Sequence, residues 1–361
     1  VILCLIFLLS SACSAAVYVV RPDGQGTHPD IQAAVDVSVD GDEIWLTAGV
    51  FTGPGNRDVV IAGMNIEIRS FDDDPATCII DCEGSESSPL RAFRLTGSST
   101  QYTRIRSLSM RGGYAVTGGG AMLISGDASG WMSNCVFEDN ASGMTDWHAG
   151  GAVYADNSTF PVFYDCVFRD NQAFAGGAVA INHGGRVAFN NCSFLGNRAI
   201  RGGAVYGITT DKIGCLFANN EAAEWGGAIW HNAYGLDYYE SCTFDGNRAP
   251  LGGAVCAAAN YGGSVEMIDT IISNSPEGEA IYVNPLVPIT LSCTNLYGNA
   301  GGDWIEPFAA QVDMNGNFSA NPCYCDTGGE DYHLCADSYA LAGNHPWGCD
   351  QLVGAYGQGC G

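Results

Sequence analysis

Short apolar stretches alternate with glycine- and asparagine-containing segments along the middle of the chain, without a helical period. One block recurs five times: a cysteine, a phenylalanine two residues later, an asparagine three residues after that, and then Gly-Gly-Ala with Val or Ile. The cysteines are 23 to 31 residues apart, a spacing typical of stacked repeats. The repeated cysteines are Cys135, Cys166, Cys192, Cys215 and Cys242, and the repeated asparagines are Asn140, Asn171, Asn197, Asn220 and Asn247.

Each block predicts one coil of a solenoid. Cysteine and phenylalanine are two residues apart, so on a strand both point the same way, which we expect to be inward. The asparagine is expected to form a corner, because it tolerates the left-handed backbone and its amide can bond to the coils above and below. The Gly-Gly pair predicts a second corner without room for a Cβ atom. We therefore predict an all-β fold, a right-handed single-stranded parallel β-helix.

The two ends of the chain differ from its middle. Ile31, Ala34 and Val35 predict a short amphipathic helix that caps the N-terminal end. Residues 1–9 are apolar and residues 10–16 are small, a pattern typical of a secretory signal peptide cleaved after Ala16. We predict a signal peptide over residues 1–16, a β-helix over 17–320 with its clear repeats over 103–304, and a cysteine-rich C-terminal cap over 321–361.

The charge balance narrows the possible partners. The chain has 39 acidic and 14 basic residues and a formal net charge of −25. A surface of this sign repels polyanions, so nucleic acid is not expected as a partner. Beyond residue 16 no stretch approaches the ~20 apolar residues of a membrane-spanning helix, so no transmembrane segment is predicted. Together with the signal peptide, this predicts a secreted or cell-surface location, while the oligomeric state stays open.

The repeats carry a resemblance to known families. The paired Gly-Gly-Ala-[Val/Ile] and Phe-x-x-Asn motifs resemble those of the chlamydial polymorphic outer-membrane proteins. The opening, with Ile31-Gln-Ala-Ala-Val and Gly41-Asp-Glu-Ile, is similar to the entry coil of pectin-lyase-like β-helix proteins. The first resemblance implies a surface-displayed adhesin. The second implies the fold alone, because the Gln-Asp-Thr motif of pectin methylesterases and the Gly-His-Gly motif of polygalacturonases are absent from the sequence.

Aromatic residues follow several of the Gly-Gly-Ala-[Val/Ile] motifs. If Val and Ile point inward, the next position points outward, and its rings form a stripe suited to stacking on sugars or a protein partner. The alternative is a register error that places these rings in the core, which Cys256 at the same position favours. The candidate ligand-binding residues are Tyr154, Tyr206, Trp230 and Tyr282.

Weaker candidates exist for catalysis and for a metal. His231, with Glu224 and Asp237 in the same coil, is a candidate general base, although a histidine in a surface loop is the interpretation we favour. The acidic run of residues 72–74 is a candidate calcium site, and a solvated loop is the favoured alternative. No cofactor is expected other than this possible Ca²⁺. The run consists of Asp72, Asp73 and Asp74, and the arginines nearest the middle coils are Arg169, Arg186, Arg198 and Arg201.

The cysteines are expected to fall into two classes. Stacked strands hold equivalent side chains ~4.8 Å apart, more than the ~3.8 Å between Cβ atoms of a disulfide, so the repeated cysteines are predicted to be reduced and buried. The tail is expected to gain from covalent closure, with Cys325 paired to Cys335 and Cys349 paired to Cys360. Zinc is less expected, because the tail lacks a second ligand pair at the usual spacing.

Two functional hypotheses follow. The first is a non-catalytic adhesin or a protein that binds extracellular polysaccharide or a host or cell-surface component on its long faces. The alternative is a polysaccharide lyase or glycoside hydrolase with an unrecognised active site on the β-helix. A cluster of outward carboxylates with Arg or His in a groove favours the enzyme, and a flat face with scattered charge favours binding.

Overall fold

The computed structural model describes residues 15–97, 102–144, 149–156, 159–182, 185–207, 209–231, 235–258, 262–345 and 348–361. Most of the predicted signal peptide, residues 1–14, therefore lies outside the described residues. In the described part of the chain, no helix is long and apolar enough to cross a membrane.

The chain winds through three long parallel sheets, visiting sheet 1, sheet 2 and sheet 3 once in each coil. The predicted parallel β-helix is thus confirmed. Sheet 1 comprises Val17–Val20, Glu43–Leu46, Glu67–Ser70, Tyr102–Arg106, Ser129–Ser133, Val162–Tyr164, Val187–Asn190, Thr209–Ile213, Leu236–Glu240, Ser264–Ile268 and Ile289–Ser292. Sheet 2 comprises Gly49–Phe51, Cys78–Asp81, Ser109–Arg111, Val136–Glu138, Val167–Arg169, Ser193–Leu195, Leu216–Ala218, Thr243–Asp245, Ile271–Ser273 and Asn295–Tyr297. Sheet 3 comprises Val59–Ala62, Phe93–Thr96, Met122–Ser125, Val153–Ala155, Val179–Ile181, Val205–Tyr206, Ile229–His231, Val255–Ala257 and Ile281–Val283.

Shorter elements complete the fold. Two small parallel sheets lie beside the coils, and a three-stranded sheet forms in the tail. The small sheets are Tyr114–Ala115 with Ala141–Ser142 and Arg198–Arg201 with Glu221–Trp225; the tail strands are Tyr324–Asp326, Asp331–Cys335 and Gln358–Cys360. The helices are an α-helix at Ile31–Val37 and 3₁₀ turns at Ala309–Gln311 and Thr327–Gly329.

The repeated phenylalanines stack in the core as the spacing predicts. The rings of Phe168 and Phe194 are 4.7 Å apart and nearly parallel, and the same stacking continues to Phe217 and Phe244 at 4.6 Å. Each of these side chains is fully buried. The repeated cysteines form a second buried column of free thiols beside the rings, and burial raises the pKa of Cys242 well above its usual value.

The repeated asparagines form a continuous amide ladder. The backbone N–H and side-chain amide of Asn171 both donate to Oδ1 of Asn197, at 3.1 and 3.0 Å. The same amide donates to the carbonyl of Phe137 at 2.9 Å. Asn197 contacts Asn220 in the same way. Every polar atom of these buried side chains is thereby satisfied, which a dry corner of the backbone requires.

The ladder asparagines do not hold the left-handed backbone themselves. The residue before each of them does, with φ of 53° at Asp139, 53° at Asp170 and 55° at Asn219. The expectation that the ladder asparagine forms the left-handed corner is therefore wrong by one residue. Its side chain is recruited by the neighbouring coil, so the backbone reversal falls on the preceding Asp, Asn or Gly.

The Gly-Gly corner has no room for side chains. A Cβ atom on Gly177 would lie 2.1 Å from the carbonyl oxygen of Gly203 in the next coil. The preceding Gly176 has a φ of +65°, a region open to glycine at little cost.

The N-terminal helix is present as predicted. Asp30 caps it by accepting a hydrogen bond from the backbone of Ala33 at 2.8 Å. Ile31, Ala34 and Val35 are buried against the first coils, so the helix covers core residues that would otherwise face solvent.

The C-terminal region does more than close the last coil. Phe308 packs into the core beside Trp304. The cysteine-rich tail then folds back along the outer face of sheet 2, where Tyr332 is buried against Leu195 and Leu216. The tyrosine hydroxyl groups of the tail reach back to Asn219, Ser193 and Ser273.

The disulfide pairing in this tail differs from the expected one. The disulfides are Cys293–Cys349, Cys323–Cys335 and Cys325–Cys360, so the expected Cys325–Cys335 and Cys349–Cys360 pairs are wrong. In its coil, Thr294 takes the position that the repeated cysteines occupy in other coils, and its hydroxyl donates to the carbonyl of Met267. Cys293 instead lies at the left-handed corner before it, and the returning tail brings Cys349 to it.

Candidate functional site

The predicted aromatic stripe lies on one row of sheet 3. Strand pairing places Tyr206 next to Trp230, and their rings stack at 4.5 Å. Trp230 is only 9% exposed and Cys256, in the same row, is fully buried. The row also contains Tyr154 and Tyr282, which are half-buried. Ligand binding by this stripe stays a prediction, but the row offers little free ring surface.

The interpretation of His231 as a residue of a surface loop is wrong. It ends a strand of sheet 3 and is fully buried. Its Nδ1 atom lies 3.6 Å from Oδ2 of Asp237, so the structure does bring these two candidates together. Glu224 is elsewhere, because its carboxylate accepts a hydrogen bond from Arg201 at 2.8 Å.

Asp237 belongs to a buried polar cluster that the sequence analysis missed. Lys212 contacts the Asp237 carboxylate, and both side chains are fully buried. The Lys212 nitrogen also lies 4.0 Å from the centroid of the Tyr239 ring. The Tyr239 hydroxyl donates to Oδ2 of Asp237 at 2.6 Å. We call Lys212, His231, Asp237 and Tyr239 the core cluster.

Strand register explains why these groups point inward. Lys212 is paired with Phe189 on one side and Tyr239 on the other, in a core column of large side chains. Asp237 is paired with buried Val265. The signal was present in the sequence: Lys212 precedes Cys215 by three residues, as Phe189 precedes Cys192 and Tyr239 precedes Cys242. Aligning the repeats upstream of each cysteine would have revealed it.

Burial controls the ionisation of the core cluster. Loss of solvation lowers the pKa of the His231 imidazole, which favours the neutral ring. Burial by itself would raise the pKa of Asp237, but a protonated His231, the Lys212 ammonium and the hydrogen bond from Tyr239 lower it. Burial and the nearby Asp237 carboxylate raise the pKa of Tyr239 well above its usual value, so its hydroxyl remains a donor. The four side chains of the core cluster have no exposed surface.

The acidic run of residues 72–74 forms ion pairs. The carboxylate of Asp73 lies 3.2 Å from Arg106 and 3.6 Å from Arg69. Asp74 accepts a hydrogen bond from the backbone of Ala76 at 2.9 Å, which closes the turn. No group of three or more His, Cys, Asp or Glu side chains among the described residues is placed to hold a metal ion.

The most open aromatic surface lies on the outer face of sheet 1. Trp131 is 44% exposed and Tyr164 is 38% exposed, and their ring centroids are 6.2 Å apart in an edge-to-face arrangement. They border a depression of about 170 Å³ that Glu67, Arg104 and Arg106 also line. We call these five residues the sheet 1 patch.

The two arginines of the sheet 1 patch differ in their partners. Arg106 is paired with Glu67 at 3.5 Å and with Asp73. Arg104 is exposed and lies 5.7 Å from the Trp131 ring. Within the described ranges no carboxylate of this acidic chain lies within ion-pair distance of Arg104. Its guanidinium group can therefore meet an anionic group of a ligand.

The arginines of the middle coils serve mainly as ion-pair partners. Arg169 is paired with Glu330 at 2.9 Å, Arg198 with Glu221 at 3.8 Å, and Arg201 with Glu224. Arg186 is exposed, and its backbone N–H donates to Thr159. These arginines do not assemble into one site with His231, which lies in the core.

Comparisons with known proteins agree with this architecture. Residues 65–222 match the family described as the right handed beta helix region, and residues 214–232 and 241–258 match the Chlamydia polymorphic membrane protein repeat. Among solved structures, the crystal structure of pectate lyase Pel9A is similar with a TM-score of 0.57 at 12% identity. That similarity covers 96% of this chain and 97% of the other, and it shows the fold. No match appears among curated proteins. The chain therefore has the fold of a right-handed parallel β-helix, and part of it matches the repeat of the Chlamydia polymorphic membrane proteins.

Proposed function

We propose that this chain is a non-catalytic surface or secreted protein that binds extracellular polysaccharide through the sheet 1 patch. The polymorphic membrane protein repeats suggest a surface protein. The observation that carries the binding proposal is the pair of exposed rings, Trp131 and Tyr164, beside an arginine without a carboxylate partner among the described residues.

Exposed rings at this position favour a ligand. A tryptophan and a tyrosine that leave about two fifths of their surface in water do not contribute fully to folding, and flat ring faces stack well on sugar rings. The depression beside them, of about 170 Å³, is large enough for part of one sugar unit. We therefore place the proposed binding surface on the outer face of sheet 1, in preference to the half-buried stripe of sheet 3.

The charge of the chain restricts which polysaccharide fits. A net charge of −25 repels densely anionic polymers at long range. Arg104 nevertheless supplies one local cation next to the rings. The ligand that suits both facts is a largely neutral glycan with isolated acidic substituents.

One observation favours the enzymatic alternative, a lyase or hydrolase. The depression contains a carboxylate, Glu67, beside two arginines, which is the arrangement expected of a catalytic groove. Arg106 neutralises Glu67, however, and Arg106 is shared with Asp73. Among the described residues that line the depression, no second carboxylate faces Glu67, so the pair of acids that a hydrolase uses is missing there.

A glycan array with the purified chain tests the proposal, combined with assays for released reducing ends and unsaturated uronides. The Trp131→Ala and Tyr164→Ala variants should each lose most binding. Tyr339→Ala, which removes an exposed ring of the tail, should bind normally. Tyr206→Ala tests the sheet 3 stripe. Loss of binding in Tyr206→Ala alone, or release of product by the unaltered chain, overturns the proposal.

A further inference from the structure

The core cluster contains the only lysine of the chain, and the proposed function does not use it. Lys212 is fully buried in a column whose neighbours are Phe189 and Tyr239. Moving an ammonium and a carboxylate out of water costs several kcal/mol for each ion. A lysine therefore rarely occupies such a column unless the amine and the acid have a specific use there.

The cluster places an amine directly against a carboxyl group in an apolar interior. Lys212 and Asp237 lie on neighbouring strands of sheet 1 and contact each other. Large core side chains enclose them, and neither side chain has any exposed surface. Two groups fixed in contact react as if they were present at very high concentration.

We propose that Lys212 and Asp237 form an intramolecular isopeptide bond, an amide between Nζ of the lysine and Cγ of the aspartate. The product joins two successive coils of the β-helix covalently. It replaces two buried charges by one neutral amide, and so removes the cost of keeping both ions in the core.

The reaction balances without any further reactant. One proton passes from Nζ to Oδ1 of Asp237, which turns the ion pair into a neutral amine and a neutral acid with the same total of protons. The lone pair of Nζ then attacks Cγ, and a second proton passes from Nζ to Oδ1. The Cγ–Oδ1 bond breaks, and this oxygen leaves as one water molecule. Nothing is oxidised or reduced.

Tyr239 touches the oxygen that remains in the product. Its hydroxyl donates to Oδ2 of Asp237 at 2.6 Å, and Oδ2 carries the negative charge that develops during attack. A donor fixed on such an oxygen accelerates this kind of step by about a hundredfold or more. His231 lies on the same side, with Nδ1 3.6 Å from Oδ2.

Intact-mass measurement of the reduced, denatured chain tests the bond directly. The expected mass is lower than the sequence mass by one water molecule. Because Lys212 is the only lysine, a protease that cleaves after lysine should leave the chain uncut. A chymotryptic digest should contain one branched peptide with residues 212 and 237. A sequence mass together with cleavage after Lys212 means an ordinary buried ion pair and overturns the proposal.

Single substitutions show which residues are joined when the water molecule is lost. Lys212→Arg and Asp237→Ala should both show the full mass calculated from their sequences, without the loss of a water molecule. Asp245→Ala, which removes another buried carboxylate, should keep the loss of one water. Tyr239→Phe should slow the loss by about a hundredfold when refolding from denaturant is followed over time. Water loss that persists in Lys212→Arg places the modification elsewhere and contradicts the assignment.

Discussion

Arg169 and Glu330 are 161 residues apart in sequence, yet two hydrogen bonds of 2.9 Å join the guanidinium group to the carboxylate. Arg169 lies in a middle coil and Glu330 in the tail. Both side chains are partly exposed, so the pair itself contributes little to stability. It marks the far end of the path along which the tail runs back over sheet 2, and the disulfides hold that path in place.

The disulfide Cys293–Cys349 should stabilise the chain more than Cys323–Cys335. The first closes a loop of 56 residues and the second a loop of 12, and loop-closure entropy predicts about 4 against about 3 kcal/mol. Replacing each pair by two serines and measuring urea unfolding compares them. A larger loss from the Cys323 and Cys335 double variant would show that the tail is held by its local cross-link.

The amide ladder should be sensitive to the loss of one member. In Asn197→Ala, the backbone and side-chain amides of Asn171 lose their acceptor, and the carbonyl of Phe168 loses its donor. Unsatisfied buried groups of this kind should cost about 3 kcal/mol in total. Asn191→Ala is the control, since that residue occupies a left-handed corner and should cost about 1 kcal/mol. Equal losses in denaturant unfolding would mean that the ladder does not stabilise the fold.

Stability should fall in mild acid because of His231. Burial lowers the pKa of this imidazole below the ordinary value of 6.5, while the unfolded chain titrates near that value. The unfolded state therefore binds more protons as the pH falls below 6.5, and the free energy of unfolding decreases until the lowered pKa is passed. The Asp237 carboxylate opposes this lowering and the Lys212 ammonium adds to it; an isopeptide bond between the two would remove both contributions and leave burial as the cause.

Urea unfolding at pH 7.5 and pH 5.5 measures this dependence at about one unit on either side of the ordinary histidine pKa. The slope should decrease in His231→Gln. A steep slope that persists in His231→Gln would assign the acid sensitivity to other groups.

The two arginines of the sheet 1 patch should respond differently to removal. Arg104→Ala should leave the free energy of unfolding within about 0.5 kcal/mol of the unaltered chain, while affinity for acid-substituted glycans falls to that of the neutral analogues. Arg106→Ala removes the ion-pair partner of Glu67 and leaves Asp73 with Arg69 alone, and it should cost up to about 1 kcal/mol. Calorimetric binding and thermal unfolding of both variants separate the effects. Unchanged glycan selectivity in Arg104→Ala would exclude it from recognition.

The fold was accessible from the sequence because its signal is repeated. Phenylalanine and asparagine recur at fixed offsets from each cysteine, and a solenoid places equivalent residues in direct contact. One correct interpretation of Cys192, Phe194 and Asn197 therefore applies to five coils. The left-handed corner was misplaced by one residue, because sequence spacing does not say whether an asparagine serves the backbone or the neighbouring coil.

The candidate sites were less accessible because they depend on contacts between unlike residues. The pair formed by Lys212 and Asp237 is not part of the repeated motif. The two residues contact each other because of the strand register, which the sequence shows only at the positions just before each cysteine. The sheet 1 patch joins Arg104 to Trp131 across two coils, at positions that the repeated motifs do not include. The disulfide partners of the tail depended on its path, although apolar residues at outward positions, such as Leu216, were a sign that something covers sheet 2.

The returning tail also fixes the number of coils between the points where it is anchored. Tyr324 forms a hydrogen bond with Ser273, and Tyr332 forms one with Asn219, so the tail is attached to two different coils of the β-helix. One extra coil between them would displace one of these tyrosines from its partner by ~4.8 Å, which is too far for a hydrogen bond. Duplication or loss of repeats, the usual way in which such arrays change length, should therefore be tolerated ahead of Val167 and rejected between Asn219 and Ser273.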